Sequence, residues 1–271
     1  MARLDSNAAW KEASRLVGAN RDVLVALAGV FFMLPSLALA VFMGEPEVVP
    51  GMKPDQMMAV MSDFYARGWW LILLNVALSF IGILATLTLM RDRSRPTVAE
   101  AIRAGAAGAP SYFASQALFG VGLGLVGAVL IAVGALISPV LGGVMVLFVF
   151  CGAVYFAFRL ILVAPIVAVE GARNPVAAMR RSWQLTKGNF WRLFAFVMLV
   201  LVLFVILLSI VMLIVGIVLA LATSGDTQRV LAAVVSSAVS SVAVVYFAGM
   251  IAAVHRQLGG PAREDLSATF E

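Results

Sequence analysis

At 271 residues, with 63% hydrophobic and only 12% charged side chains, the chain lacks the polar groups a water-soluble fold of this size needs to cover its surface. One cysteine, Cys151, excludes an intramolecular disulfide framework, and one histidine, His255, argues against a multi-histidine metal site. The net charge of +5 could suggest nucleic acid, but the placement of the cations between apolar runs accounts for it better, so no nucleic-acid partner is expected.

In chain order, residues 8–20 form an amphipathic segment with Trp10, Ala13, Leu16 and Val17 at helical spacing and Asn7, Lys11 and Arg15 elsewhere. The first apolar run follows at 23–43. Its Ala38-Leu39-Ala40 resembles a signal-peptide cleavage site, but the run continues to Met43 after a 22-residue polar segment, so it reads as an uncleaved anchor. Residues 54–67 place Met57, Val60, Met61 and Phe64 on one face and Asp55 and Asp63 on the other, which predicts an interfacial helix. Trp69 and Trp70 then mark a water–lipid boundary before the second run, 69–90.

A second amphipathic segment starts at Pro96-Thr97 and carries Val98, Ile102, Arg103 and Ala106. The third run, 111–137, holds a small-residue ridge of Gly120, Gly124 and Ala128, expected to pack against a neighbouring helix. The fourth run is 140–164. A third amphipathic segment opens at Asn174-Pro175, with Val176, Met179, Trp183 and Thr186 on one face and Arg180, Arg181 and Lys187 around it. The fifth and sixth runs are 193–222 and 230–254; Ser237 and Ser241 line a second packing ridge in the last.

A hydrocarbon core about 30 Å thick needs about 20 apolar residues in a helix, and all six runs are long enough. The fold class is therefore all-α: a polytopic membrane protein of six transmembrane helices with amphipathic helices at its connectors. The cations fall on one side of these spans. Arg3, Lys11, Arg15, Arg21, Arg91, Arg93, Arg95, Arg103, Arg173, Arg180, Arg181, Lys187, Arg192, Arg256 and Arg263 share it, against Lys53, Arg67 and Arg229 opposite, beside Glu45, Glu47, Asp55, Asp63 and Asp226. Lys and Arg are retained in cytoplasmic loops, so both termini are expected in the cytoplasm of a bacterial inner-membrane protein. Each pair of spans follows one basic amphipathic segment, and an Ala-x-Arg triplet recurs at 13–15, 101–103 and 178–180, a layout compatible with three hairpin repeats. Among those basic segments, Arg15, Arg103, Arg180, Arg181 and Lys187 are the candidates for anionic-lipid contact.

Arg159 is the one ionisable residue well inside a run, and such residues mark functional sites or buried polar partners. Its guanidinium either snorkels to the cytoplasmic surface, against the lean of helical side chains, or meets an internal partner. Thr86 and Thr88 lie at matching depth. Glu170 follows 11 residues later on the same face, about 16 Å along a straight helix, so direct pairing needs Pro165 to fold the chain back. No phosphate-cradling loop, nucleophile–histidine pair or intramembrane carboxylate relay is present, so no catalytic residue, cofactor or metal is expected.

One stretch carries a resemblance. Arg159, Ala164-Pro165 and Glu170, followed by Ala177, Arg181-Ser182-Trp183, Leu185-Thr186 and Gly188-Asn189, resemble the uncharacterised YciC-like inner-membrane family and the glycerophosphodiester phosphodiesterase membrane-domain family. The resemblance implies an inner-membrane location and no catalytic domain: the His-Arg-Gly and acidic metal pattern of the soluble enzyme is missing, His255 being followed by Arg256-Gln257. The expected function is non-enzymatic, in membrane homeostasis through anionic lipid or other membrane proteins, with a homo-oligomer open. The alternative is a transporter or exporter of a lipid or hydrophobic small solute.

Overall fold

A computed structural model describes residues 3–44, 46, 48–91 and 96–259. The expected cations Arg93, Arg95 and Arg263 and the acidic Glu45 and Glu47 lie outside the described residues. Helices follow one another along the chain: α1 Ser6–Ala19, α2 Arg21–Ala28, a π-helical turn Gly29–Met33, α3 Leu34–Met43, α4 Pro54–Leu89, α5 Val98–Ile137, α6 Pro139–Arg159, α7 Val163–Val169, α8 Pro175–Thr186, α9 Phe190–Ala222 and α10 Gly225–Gly259. Among the described residues six stretches are long and apolar enough to cross a membrane: Arg21–Met43, Pro54–Leu89, Val98–Ile137, Pro139–Val169, Phe190–Ala222 and Thr227–Gly259. The protein is an all-α polytopic membrane protein.

Prolines decide where two of these spans deviate from a straight helix. Pro35 supplies no N–H to the turn before it, and the chain widens there into the π turn, where the Leu34 N–H donates to the Gly29 carbonyl. The extra width lays Phe31 and Phe32 over α4 at Gly82, where a Cβ would meet Phe31 Cβ at 2.6 Å. In the fourth span the helix stops at Arg159 and restarts at Val163, so Pro165 sits in the first turn of α7, where its missing N–H costs nothing. The expected continuous helix over 140–164 is thus two helices joined by a turn at 160–162.

Two predicted interfacial helices do not stand alone. Residues 54–67 are the first turns of α4, whose 36 residues extend about 54 Å. Gly68 does not break it, because a single glycine in a helix costs only about 1 kcal/mol and here it makes room for Met43. The stretch from Trp69 to Leu89 alone covers about 30 Å, so the preceding turns project past the bilayer core. The segment after Thr97 likewise runs straight into α5; Thr97 caps it by accepting from the Glu100 N–H while Glu100 accepts from the Thr97 N–H. The hairpin layout therefore carries separate amphipathic helices before its first and third pairs only.

The dense core occupies the half of the bundle that carries both ends of the described chain. It is built from residues 84–90 at the end of α4 and its cap, Leu162–Val167, Leu193–Val200 of α9 and Val245–Val254 of α10, with Leu24, Phe31 and Phe32 from the first span. In α1 the apolar face of Ala9, Ala13, Leu16 and Val17 is buried, and Val17 reaches Gly249 of α10, so this face is spent on protein rather than lipid. The far half is looser: Leu136, Ile137, Val140, Leu213 and Leu221 are all exposed on the bundle exterior. Small residues still set the close approaches. At Gly105 a Cβ would meet the Ile81 carbonyl of α4 at 2.7 Å, and at Gly127 and Gly134 it would strike Val149 and Met145 of α6.

Candidate functional site

The break before Pro165 leaves the last carbonyls of α6 without helical donors, and the buried end of a helix must find others. α8 supplies them. Asn174 starts α8 by accepting from the Val176 and Ala177 N–H groups, with Pro175 at the first helical position. Four residues apart on one face, Ser182 and Thr186 point at the end of α6: the Ser182 hydroxyl donates to the Arg159 carbonyl at 2.8 Å, and Thr186 Oγ1 lies 3.4 Å from the same oxygen.

The Arg159 side chain is held between α8 and its own helix. Its Nε donates to the Tyr155 hydroxyl at 3.1 Å and Nη1 reaches Thr186 Oγ1 at 3.4 Å. The guanidinium carbon lies 4.5 Å from the centre of the Trp183 ring and 5.5 Å from that of Tyr155, the geometry of a cation–π clamp. Tyr155 is one turn before Arg159, so that half was legible from the i, i+4 spacing; Trp183 on a separate helix was not. Thr86 and Thr88 take no part in these bonds. Thr88 donates back to the Leu84 carbonyl at 2.8 Å, and Thr86 Oγ1 is buried with no hydrogen-bond partner among the described residues.

Glu170 caps α7 and does not meet Arg159. After it Gly171, at φ 70°, turns the chain toward α8 through a conformation that side chains resist. One carboxylate oxygen accepts from Arg181 Nε at 3.2 Å and the other lies 2.9 Å from His255 Nε2. A carboxylate only accepts, so the imidazole donates. Burial pushes the Glu170 carboxyl up, but the hydrogen bond and charge of His255, then those of Arg181, outweigh it and hold the group below the usual carboxylate range. α7, α8 and α10 are thereby tied at one point, a pairing across 85 residues that no local pattern announced.

The remaining predicted positions separate by their partners. Arg15 forms a two-pronged contact with Glu12 at 2.9 Å, and Arg256 of α10 reaches the same carboxylate at 2.7 Å. Glu12 is held below its ordinary range mainly by the Arg15 hydrogen bond, against burial and with help from Arg256. Arg181 is spent on Glu170. Arg103, Arg180 and Lys187 are exposed, and no ion pair joins Arg180 or Lys187 to another described residue. Gly120 and Gly124 face open space: a Cβ on either would meet nothing within 4 Å, the close approach to α6 falling later along α5. Ser237 and Ser241 are buried in α10, where Ser241 donates to the Ser237 carbonyl at 2.6 Å.

Two hollows flank this junction. A groove of about 960 Å³ lies between α5, the end of α6 and α8, walled by Leu118, Leu123, Phe156 and Trp183 and carrying Arg180 and Lys187. A second space of about 400 Å³ lies between α4, α5, the α6–α7 turn and α10; it is apolar apart from Tyr112 and Gln116, whose amide donates to the Tyr112 hydroxyl. Arg159 lines neither. Among the described residues no group of three His, Cys, Asp or Glu comes together to hold a metal.

Residues 134–258, a little under half of the chain, match the family described as the membrane domain of glycerophosphoryl diester phosphodiesterase. The match is to a membrane domain and not to a catalytic one, and Arg159, Glu170, Arg181, Ser182, Trp183, Thr186 and His255 all lie within it. No curated protein and no solved structure matches the chain.

Proposed function

We propose that this chain is a non-enzymatic protein of the bacterial inner membrane, with both termini cytoplasmic, that serves membrane homeostasis by engaging anionic lipid at the inner leaflet. The observation that carries the reading is how its cations are divided. On α8 and its flanks, Arg181 is neutralised by Glu170, whereas Arg180 and Lys187 project at the surface with no ion pair to another described residue. The carboxylates of Glu12 and Glu170 are already engaged with Arg15, Arg256, Arg181 and His255. Each well-placed cation at an anionic leaflet contributes about 1 kcal/mol of attraction. The junction around Arg159 supports a non-catalytic reading: Ser182, Thr186 and the guanidinium Nε and Nη1 are engaged with the Arg159 carbonyl, with one another and with Tyr155.

The experiment has two parts. In intact cells, a cysteine at Lys187 in a Cys151→Ala background should resist an impermeant thiol reagent until the membrane is opened; labelling from outside overturns the orientation. In nanodiscs of mixed composition, lipid co-purifying with the protein should be enriched in anionic species over the bulk mixture. An unenriched shell overturns the lipid reading.

Transport of a lipid or hydrophobic solute is the second reading, favoured by the roughly 400 Å³ space between α4, α5 and α10 with its Tyr112–Gln116 pair. Its support is thinner, because Arg159 is clamped by Trp183 and Tyr155 outside that space. Protein-dependent movement of a labelled lipid across sealed proteoliposomes would favour it over simple association.

A further inference from the structure

The groove between α5 and α8 has a distribution of chemistry that the general attraction of cations to a membrane does not require. α8 turns Ser182 and Thr186 inward to the end of α6, and Ala178 is fully buried, so its other face is fixed outward. That face presents Val176, Arg180, Trp183 and Lys187 at spacings of four, three and four residues, which place them in one row along the helix. Arg180 and Lys187 are thus about 10 Å apart along the axis, on either side of the Trp183 indole. Opposite them, α5 contributes a wall from Leu118 to Val126, about 12 Å long, interrupted at Gly122, where a Cβ would meet nothing within 4 Å. Among the described residues no carboxylate lines the groove.

We propose that this groove is a specific site for one anionic glycerophospholipid, with an acyl chain lying along α5 over Gly122 and the phosphate held between Arg180 and Lys187. The proposal rests on the anionic-lipid reading above and narrows it to a place. Charge complementarity selects the occupant. A soluble anion would satisfy the two cations and leave the apolar walls wet, whereas a neutral apolar solute would fill the walls and leave the cations unmatched. An amphiphile with an anionic head satisfies both, and the volume of about 960 Å³ falls within the range of ligand sites, about 300–1,000 Å³.

Gly122 gives a clean test, because it lines the groove and a Cβ there meets nothing within 4 Å. The full-length protein would be purified from nanodiscs of zwitterionic phospholipid with a minority of phosphatidylglycerol, and retained lipid counted by native mass spectrometry. The wild type should retain one phosphatidylglycerol per chain. Gly122→Leu should lose it, while Gly120→Leu, equally open but outside the groove, should keep it. Arg180→Gln with Lys187→Gln should lower the preference for phosphatidylglycerol over the zwitterionic lipid on the order of tenfold. Three results overturn the site: Gly122→Leu retaining lipid as the wild type does, the charge variant keeping its preference, or a dimer forming in place of the lipid-bound chain. If the shell as a whole remains anion-enriched in those cases, only the groove fails. If the wild type shows no anionic enrichment anywhere, the broader reading fails with it.

Discussion

The Ser182 hydroxyl donates to the carbonyl oxygen of Arg159 at 2.8 Å, joining residues 23 positions apart at the point where the fourth span breaks. The contact gives the Ser-Trp-x-Leu-Thr stretch a physical meaning. The turn at 160–162 sends the Val163 N–H to the Leu160 carbonyl, which leaves the Arg159 carbonyl without its helical donor; Ser182 satisfies it, Thr186 lies 3.4 Å from it, and Trp183 covers the guanidinium of the same residue. Further along, Gly188 turns the chain at φ 82° and the Asn189 side chain accepts the Leu4 N–H at 3.1 Å, bringing the start of the chain to the same junction.

Removing the Ser182 hydroxyl should therefore weaken the fold. Ser182→Ala leaves the Arg159 carbonyl with the longer Thr186 contact alone, and the expected loss is about 1–2 kcal/mol. Ser182→Ala with Thr186→Val should cost more than the sum of the single changes, since in Ser182→Ala the Thr186 hydroxyl, 3.0 Å from the Ser182 carbonyl, can turn its one proton to the Arg159 carbonyl 3.4 Å away, and the second change removes that rescue. Thermal unfolding of the purified protein in detergent reads both; simple additivity would show that the two hydroxyls do not share one acceptor.

Arg159→Lys tests the clamp against snorkelling. A lysine preserves the charge and could reach the surface, but it lacks the planar group that lies against Trp183. Arg159→Lys is expected to lose about 1 kcal/mol of stability and to shift Trp emission relative to a Trp183→Phe control. An Arg159→Lys protein as stable as the wild type would mean that the cation alone matters.

Thr86 offers a change in the opposite direction. Its hydroxyl is buried without a hydrogen-bond partner among the described residues, so Thr86→Val should stabilise the protein by about 1 kcal/mol, while Thr88→Val, which only deletes a bond back to Leu84, should be near neutral. A melting temperature that falls in Thr86→Val would reveal a partner for that oxygen.

The Glu170 network should shape the acid side of stability. Its carboxyl titrates below the ordinary range in the folded protein, so the unfolded chain takes up the proton first as pH falls. The stabilisation is present above the unfolded carboxylate range, near pH 4–5, and is lost as pH drops through the lower folded value. Glu170→Gln should flatten that acid limb in unfolding experiments between about pH 6 and 3. An unchanged limb would place the acid sensitivity elsewhere.

Composition and hydropathy alone determined that the chain crosses a membrane, how many times, and which connectors are basic, because lipid imposes span length and apolarity on each helix independently of its neighbours. The i, i+4 pairing of Tyr155 with Arg159 was equally open to view. What only the tertiary structure decided is which polar groups meet. His255 and Glu170, or Arg256 and Glu12, are far apart in sequence and chosen by packing; α1 turned its apolar face to α10 instead of lipid, and Gly105 and Gly127, rather than Gly120, became the points of close approach. Periodicity shows which residues share a face of a helix, but a face acquires its neighbour only when the helices assemble, and side-chain volume at each crossing then selects the contact.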